Sequence, residues 1–149
     1  MNNSLICVDA NVVIGSLVPS PLSDKAKELL VEASAQQITL IAPALLAYEV
    51  ASVLRRLVYL RALTPEEGEV AFSAFVQLPL RLTSRKAIIP LAWQLAKQFN
   101  RPRAYDTSYL AVAQVYDCVL WTADEKLYNA IETKLPWVKW LGDYARQPK

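Results

Sequence analysis

Four acidic residues stand out because each lies within or directly beside an apolar segment. They are Asp9, Glu49, Asp106 and Asp124. The chain has no histidine, which excludes catalysis by an imidazole and zinc sites built on histidine. Oxygen ligands alone favour Mg²⁺ or Mn²⁺. One or two such ions held by these carboxylates would activate a water molecule and stabilise the charged transition state of phosphodiester cleavage.

Three of these acids are expected at one edge of a sheet. The segment Leu5-Val8 predicts a buried strand that runs directly into Asp9. Val119-Thr122 predicts another strand, and Asp124 follows it by two residues. Asp106 opens a predicted helix. Because ligands of open parallel sheets bind beyond the carboxyl ends of the strands, we expect the three acids to meet there.

Glu49 is the most informative of the four acids, because it interrupts an apolar helical stripe. Its neighbours at helical spacing are Leu45, Leu46, Val50 and Val53. A carboxylate on an apolar face is costly unless it is paired or bound to a cation. Its place in the predicted helix lets it reach back over the edge of the sheet. The alternative is a surface glutamate at the border of the stripe, or one that pairs with Arg55 or Arg56.

The other three acids have structural explanations as well. Asp9 is typical of a turn that ends a strand, and Asp106 and Asp124 are typical helix N-caps. Asn11 and Thr122 are placed to hydrogen-bond metal ligands or water, but they also suit a turn and a strand end. Taken singly, each structural explanation is at least as good as a functional one. Only the occurrence of the four acids together favours a metal site.

The apolar pattern predicts short strands that alternate with longer helices. Strands are predicted at Leu5-Val8, Thr39-Ala42, Leu78-Leu82, Val119-Thr122 and, at one edge, Val138-Leu141. Helices are predicted from the N-cap Ser23, from Pro43 to about Arg61, from a capping box at Thr64, from Arg85 to Phe99 with a late start or a kink at Pro90, from Tyr105 to Tyr116, and from Asp124 to Ile131. Strands separated by helices imply a parallel sheet covered on both faces. The predicted fold class is therefore α/β, a three-layer α/β/α domain with a mainly parallel sheet of about five strands.

The composition fits a single domain over residues 1–149. With 54% hydrophobic and 20% charged residues, the chain has enough apolar side chains for a core. Its longest apolar stretch is interrupted by charged residues and its N-terminus lacks a basic start, so we expect a cytoplasmic protein without membrane contact. Cys7 and Cys118 are expected to be buried thiols. Neutralising the four acids would leave ten acidic against sixteen basic residues, a formal charge of +6 that suits a phosphate backbone.

Four sequence fragments are similar to a known family. They are VDAN at 8–11, AYEVASVL at 47–54, YDTSYLAVA at 105–113 and LWTADEKLYNA at 120–130. Their order and spacing resemble the PIN-domain nucleases, and especially the VapC-type toxins. The resemblance implies a Rossmann-like PIN fold and a Mg²⁺- or Mn²⁺-dependent endoribonuclease that cuts single-stranded RNA. It also implies a homodimer, and a DNA-binding antitoxin protein that inserts an arm into the acidic groove.

The resemblance also assigns roles to single residues. The family's catalytic and metal-binding acids correspond to Asp9, Glu49, Asp106 and Asp124. Thr122 matches the small hydroxyl residue before the last acid, and Asn11 matches the polar residue after the first. Tyr128 and Asn129 depart from the pattern, because some PIN domains carry a further acid there, and this predicts a weak second metal site. The segment 65–82 matches no motif of the family.

Basic residues near the acids are candidates for RNA binding. Arg103 is the strongest, because it lies three residues before Asp106. Lys126 and Arg55 are weaker candidates. Arg101 belongs to a wider group, most of whose members are expected to be ordinary solvated residues.

Three functions remain open on the sequence alone. The leading one is a metal-dependent endoribonuclease, the toxin of a type II toxin–antitoxin pair. The alternative is a catalytically silent PIN-like module that binds RNA or a protein, and retention of all four acids argues against it. The third is a phosphatase with Asp9 as nucleophile, which would need a second aspartate where Asn11 stands.

Overall fold

The structure of the protein is a computed structural model that describes residues 1–146 and residue 148. Five strands form one sheet. They are β1 (Leu5–Val8), β2 (Thr39–Pro43), β3 (Leu80–Thr83), β4 (Val119–Thr122) and β5 (Val138–Trp140). Every neighbouring pair is parallel, in the order β3-β2-β1-β4-β5. The predicted parallel sheet of about five strands is confirmed, including its edge strand near the C-terminus.

Seven α-helices connect and flank the strands in the described part of the chain. They are α1 (Ala10–Leu17), α2 (Ser23–Ala35), α3 (Leu45–Tyr59), α4 (Pro65–Gln77), α5 (Ile88–Gln98), α6 (Tyr105–Val115) and α7 (Glu125–Ile131), followed by a 3-10 turn at Leu141–Asp143. Helices α1 to α4 pack together, whereas α5 packs on α6, which lies against β1, β2 and β4. From β1 to β3 the chain moves toward one edge of the sheet, and from β3 to β5 it moves toward the other edge. Because crossovers between parallel strands are right-handed, the helices of these two stretches lie on opposite faces of the sheet. The three-layer α/β/α prediction is confirmed.

The central strand β1 carries the core of the molecule. Its Cys7 lies opposite both Ile41 of β2 and Leu120 of β4, and all three side chains are fully buried. Cys7 and Cys118 are both free and buried, as expected. The strand order reverses direction between β1 and β4. A crevice therefore opens beyond the carboxyl ends of these two strands, which is where such sheets bind ligands.

Helix α1 was not predicted, and it begins directly after β1. Its sequence, ANVVIGSL, has almost no polar face, and Val12 and Val13 are fully buried. Periodicity cannot identify a helix that is apolar on nearly all sides. The helix is started by Asp9, whose Oδ1 accepts a hydrogen bond from the Val12 N–H at 3.0 Å.

Two predicted helix starts were wrong, and a third was resolved in favour of one alternative. Ser23 is the first residue of α2 rather than its N-cap, and its hydroxyl donates to the Val18 carbonyl at 2.9 Å, fastening the turn after α1. Pro43 ends β2, where it pairs with Thr83, and α3 starts two residues later. Pro90 is the third residue of α5, where its missing N–H costs no helical hydrogen bond, so the helix starts late and is not kinked there.

The capping box predicted at the start of α4 is confirmed. The Thr64 hydroxyl accepts from the Glu67 N–H at 3.1 Å, and the Glu67 carboxylate accepts from the Thr64 N–H at 2.8 Å. In the described residues, no helix combines the length and hydrophobicity needed to cross a bilayer.

Candidate metal centre

Asp9 lies at the carboxyl end of β1 and is almost completely buried. Its Oδ1 caps α1, and its Oδ2 accepts the Thr122 hydroxyl and the Ala123 N–H, the latter at 3.2 Å. These contacts join the ends of β1 and β4. They fix the carboxylate in one orientation at the crevice between the two strands.

Asp124 lies just beyond β4 and caps α7, with Oδ1 accepting the Leu127 N–H at 3.0 Å. The Thr122 hydroxyl accepts the Asp124 N–H at 3.0 Å and donates to Asp9. Thr122 is fully buried and therefore connects the two acids through one hydroxyl group. The predicted capping role of Asp124 is confirmed, and it does not compete with a functional role, because capping uses only one carboxylate oxygen.

Glu49 reaches the same crevice from the second turn of α3. Its Oε1 accepts the Tyr109 hydroxyl of α6 at 2.8 Å. Glu49 is half-buried, and in the described residues it has no salt bridge to Arg55 or Arg56. The predicted pairing with Arg55 or Arg56 is therefore wrong, and the other alternative, a surface glutamate at the border of the stripe, does not describe a residue that lines the cavity and bonds to Tyr109.

Asp106 is the second residue of α6 and not its N-cap, which is Ala104. The capping explanation predicted for Asp106 is wrong. One guanidinium nitrogen of Arg101 lies 3.9 Å from Asp106 Oδ2, which is the length of a loose salt bridge. The charge of Arg103, like that of Arg101, acts to lower the pKa of the Asp106 carboxyl group. The carboxylate is thus directed to the crevice and not to the backbone of its own helix.

All four acids line one small cavity. The lining consists of Asp9, Ala10, Asn11, Glu49, Asp106, Tyr109, Asp124 and Leu127. Its volume is about 20 Å³, close to the space of a single water molecule or small cation. Side chains from four separate segments therefore line one cavity, as the positions of the acids along the chain predicted.

Burial, and to a smaller extent a neighbouring carboxylate, raises the pKa values of three of these acids. Burial raises the pKa of Asp9 from 3.8 to about 6. Hydrogen bonds from Thr122, Val12 and Ala123 act in the opposite direction, and the charge of Asp124 raises the pKa further. Burial and the charge of Asp106 raise the pKa of Glu49. Burial and the charge of Asp124 raise that of Asp106. Negative charge is therefore crowded here, and a bound cation would relieve it.

The donor set fits a hard divalent cation. It offers only carboxylate, hydroxyl and amide oxygens, with no histidine or cysteine among the lining residues. Each acid keeps acceptor capacity beyond the hydrogen bonds described above. Within residues 1–146 and 148, however, no three acidic or cysteine side chains are grouped tightly enough to ligate one ion. A cation would therefore have to draw the carboxylates closer together.

The basic residues proposed for RNA binding lie at different distances from this cavity. Arg101 and Arg103 both act on Asp106, and Arg101 makes the closer contact. Lys126 is exposed in the first turn of α7. Arg55 lines a groove between α3 and α4 instead of the acidic cavity. The structure thus draws attention to Arg101, which sequence reasoning placed behind Arg103.

Tyr109 was not identified from the sequence, although a signal for it exists. It lies three residues after Asp106, a spacing that puts two side chains on the same side of a helix. Once Asp106 is assigned to the cavity, this spacing places Tyr109 there as well. Its pKa is raised far above its ordinary value by burial and by the hydrogen bond to Glu49, so the phenol stays protonated and donates.

Comparison with known sequences identifies the family of this fold and site. A sequence model of the PIN domain matches residues 6–132, which include all four cavity acids. The chain belongs to the PIN-domain family. The PIN domain here is 28% identical over 132 residues to VapC ribonuclease Mb0985 of Mycobacterium bovis and, equally, to ribonuclease VapC9 of Mycobacterium tuberculosis. In each case the match covers 89% of this chain and 95% of the relative.

Proposed function

We propose that this PIN domain is a metal-dependent endoribonuclease that cleaves single-stranded RNA, acting as one catalytic domain over residues 1–149. The observation that carries the proposal is the cavity lined by Asp9, Glu49, Asp106 and Asp124, in which burial and a neighbouring carboxylate raise the pKa values of Asp9, Glu49 and Asp106. The similarity to two proteins named VapC ribonucleases supports RNA as the substrate. An all-oxygen donor set supports Mg²⁺ or Mn²⁺ as the cofactor, and the cavity volume favours a single ion.

The four carboxylates would hold the cation, which when bound supplies Lewis acidity to the scissile phosphate and to an attacking water. Thr122 and the start of α1 orient Asp9. Asn11 lines the cavity and is exposed, so its amide can hydrogen-bond water or a phosphate oxygen. Arg101 can exchange its loose contact with Asp106 for a phosphate contact as substrate enters.

The proposal is tested by RNA cleavage with purified protein. With Mn²⁺ or Mg²⁺, the wild type should cut single-stranded RNA faster than duplex RNA, and EDTA should stop the reaction. Asp9→Asn should reduce the rate at least about 100-fold, since it removes a charged ligand of the ion. Asp24→Asn is the matched control, because Asp24 is an exposed aspartate at the start of α2. Cleavage that persists in EDTA and in Asp9→Asn would disprove the mechanism.

We further propose that the protein is the toxin of a type II toxin–antitoxin pair. The acidic cavity suits a cationic arm of an antitoxin, since such an arm would neutralise the crowded carboxylates. Production of the wild type in cells should arrest growth, production of Asp9→Asn should not, and co-production of a small partner encoded next to its gene should restore growth. Growth arrest by Asp9→Asn as strong as that by the wild type would contradict this role.

We also propose a homodimer, because the sequence resembles the VapC-type toxins. Exposed apolar side chains on the surface are compatible with one. On α5, Ile89 and Trp93 are 79% and 62% exposed, and Tyr105 at the start of α6 is 56% exposed. Large exposed apolar side chains on neighbouring helices are typical of protein interfaces. Light scattering measures the molar mass of the wild type and of Trp93→Asp. A wild-type dimer that becomes a monomer in Trp93→Asp supports the assignment, and a wild-type monomer at micromolar concentration contradicts it.

One observation favours the second candidate, a silent module that binds RNA or protein. The acidic side chains are not grouped tightly enough in the described residues to ligate an ion without moving. Calorimetry separates the two functions, because a silent module need not take up Mn²⁺ at the cavity. Mn²⁺ uptake that is lost in Asp9→Asn excludes the silent module, whereas RNA binding without Mn²⁺ uptake or cleavage supports it.

A further inference from the structure

Tyr109 makes a long-range contact that the acids themselves do not explain. It is a residue of α6 that is only 3% exposed, and its hydroxyl donates to Glu49 Oε1 of α3 at 2.8 Å. The two residues are 60 positions apart in the chain. A buried phenol needs a hydrogen-bond partner, since an unsatisfied hydroxyl would be costly. Here the partner is one of the four acids of the cavity that Tyr109 also lines.

Glu49 depends on a single hydrogen bond across the fold, whereas Asp9 and Asp124 are held at the ends of their elements. Asp9 is held by three hydrogen bonds, and Asp124 is fixed by its role as the cap of α7. Both are short side chains at element ends. Glu49 projects from the second turn of α3 on a longer side chain with more rotamers, and within the described residues its carboxylate accepts one hydrogen bond, from Tyr109.

The geometry leaves the second oxygen of Glu49 available. Tyr109 occupies Oε1, and Oε2 accepts no hydrogen bond in the described residues. Fixing one oxygen of a carboxylate orients the other, as outer hydrogen bonds do for metal ligands generally. With Oε1 held toward α6, Oε2 remains free for the cavity.

We propose that Tyr109 is a positioning residue that holds the Glu49 carboxylate in the orientation required to bind a divalent cation. This inference rests on the proposed function, since it assigns Tyr109 a part in the same site. It goes further by naming the side chain that prepares the one cavity acid contributed from beyond the first turn of a helix.

Tyr109→Phe tests the inference, because it removes a single hydroxyl and preserves the ring in the core. Calorimetric titration with Mn²⁺ should give a dissociation constant about 10-fold or more above that of the wild type. Tyr116→Phe is the matched control. Tyr116 follows directly after α6, and its hydroxyl contacts the Thr83 hydroxyl at 2.8 Å instead of a cavity acid, so its loss should leave Mn²⁺ affinity unchanged. Equal weakening in both variants would show a general loosening of the fold and overturn the inference.

A double-mutant cycle separates positioning from a merely structural effect. If Tyr109 acts through Glu49, Tyr109→Phe should change Mn²⁺ affinity in the wild type but not in a Glu49→Ala background. Equal effects in the two backgrounds would overturn the inference. Glu49→Asp supplies a second variant, since its shorter side chain keeps the charge but cannot reach Tyr109 in the same position. It should weaken Mn²⁺ binding as Tyr109→Phe does, and wild-type affinity in Glu49→Asp would count against the positioning role.

The outcome for the wild type distinguishes the two proposals. Mn²⁺ binding by the wild type with unchanged affinity in Tyr109→Phe disproves positioning and leaves the proposed function intact. No Mn²⁺ binding by the wild type disproves the metal centre, and with it any role of Tyr109 in preparing it.

Discussion

At the scale of single residues, the structural and functional explanations of an acid are compatible. Asp9 starts α1 and Asp124 starts α7, yet both also line the cavity. A carboxylate has two oxygens and about four acceptor sites, so capping a helix leaves capacity for another ligand. The N-cap positions also bring the positive ends of two helices to the cavity, where they ease the crowding of negative charge.

Asp9→Asn should change how stability depends on pH. Burial raises the pKa of Asp9 from 3.8 to about 6, so the folded protein holds this proton more tightly than the unfolded chain. Without divalent cations, wild-type stability should therefore fall relative to Asp9→Asn as pH rises from about 4 to about 6, and the difference should then stay constant. Linkage gives a total change of about 3 kcal/mol.

Urea unfolding of both proteins in EDTA at several pH values measures this difference. The free energy of unfolding of Asp9→Asn is subtracted from that of the wild type at each pH. This removes the contribution of the other acids, which titrate in both proteins. If the free energies of unfolding of the two proteins changed in parallel between pH 4 and 7, burial would not raise the pKa of Asp9.

At the scale of the elements, two helical glycines show how packing decides the effect of one methyl group. A Cβ at Gly15 of α1 would lie 3.5 Å from Ala26 Cβ, an ordinary contact. A Cβ at Gly68 of α4 would overlap a methyl carbon of Val58 on α3. Gly68 therefore allows α3 and α4 to approach closely, whereas Gly15 leaves room for alanine.

Gly15→Ala and Gly68→Ala should consequently have opposite effects. Alanine in a helix is favoured over glycine by about 0.5–1 kcal/mol, so Gly15→Ala should raise the free energy of unfolding by that amount. Gly68→Ala should instead destabilise by about 1–3 kcal/mol, because the clash with Val58 outweighs that gain. Chemical denaturation measures both changes.

The clash can be checked independently with Val58→Ala. Combining it with Gly68→Ala should cost less than the sum of the two single changes, since the smaller side chain makes room for the new methyl group. Additive costs would show that Val58 is not the obstacle.

At the scale of the whole molecule, the strand order brings the four acids together. The sheet reverses direction between β1 and β4, and Asp9 and Asp124 follow these strands. Helices α3 and α6 lie on opposite faces and deliver Glu49 and Asp106 to the same edge. Four like charges line one cavity, so the fold carries an electrostatic cost at this edge that a bound cation would reduce.

Divalent cations should therefore stabilise the entire fold. At a free Mn²⁺ concentration of 100 times the dissociation constant, the free energy of unfolding should rise by about 2.7 kcal/mol through mass action. Thermal unfolding with and without Mn²⁺ measures the change, and Asp9→Asn should show little of it. A wild-type melting temperature that does not respond to Mn²⁺ would contradict a cation site at the cavity.

The sequence by itself determined the residue types of the site, the alternation of strands and helices, the parallel sheet and the meeting of the four acids at its edge. These follow from short-range patterns and from a general rule on where parallel sheets bind ligands. Helix α1 escaped prediction because its residues are apolar on almost every side. Only the tertiary structure paired Tyr109 with Glu49, joined Thr122 to Asp9 across 113 residues and placed Arg101 on Asp106. Hydrogen bonds of this kind depend on distances and orientations between elements far apart in the chain, which no local pattern of residues encodes.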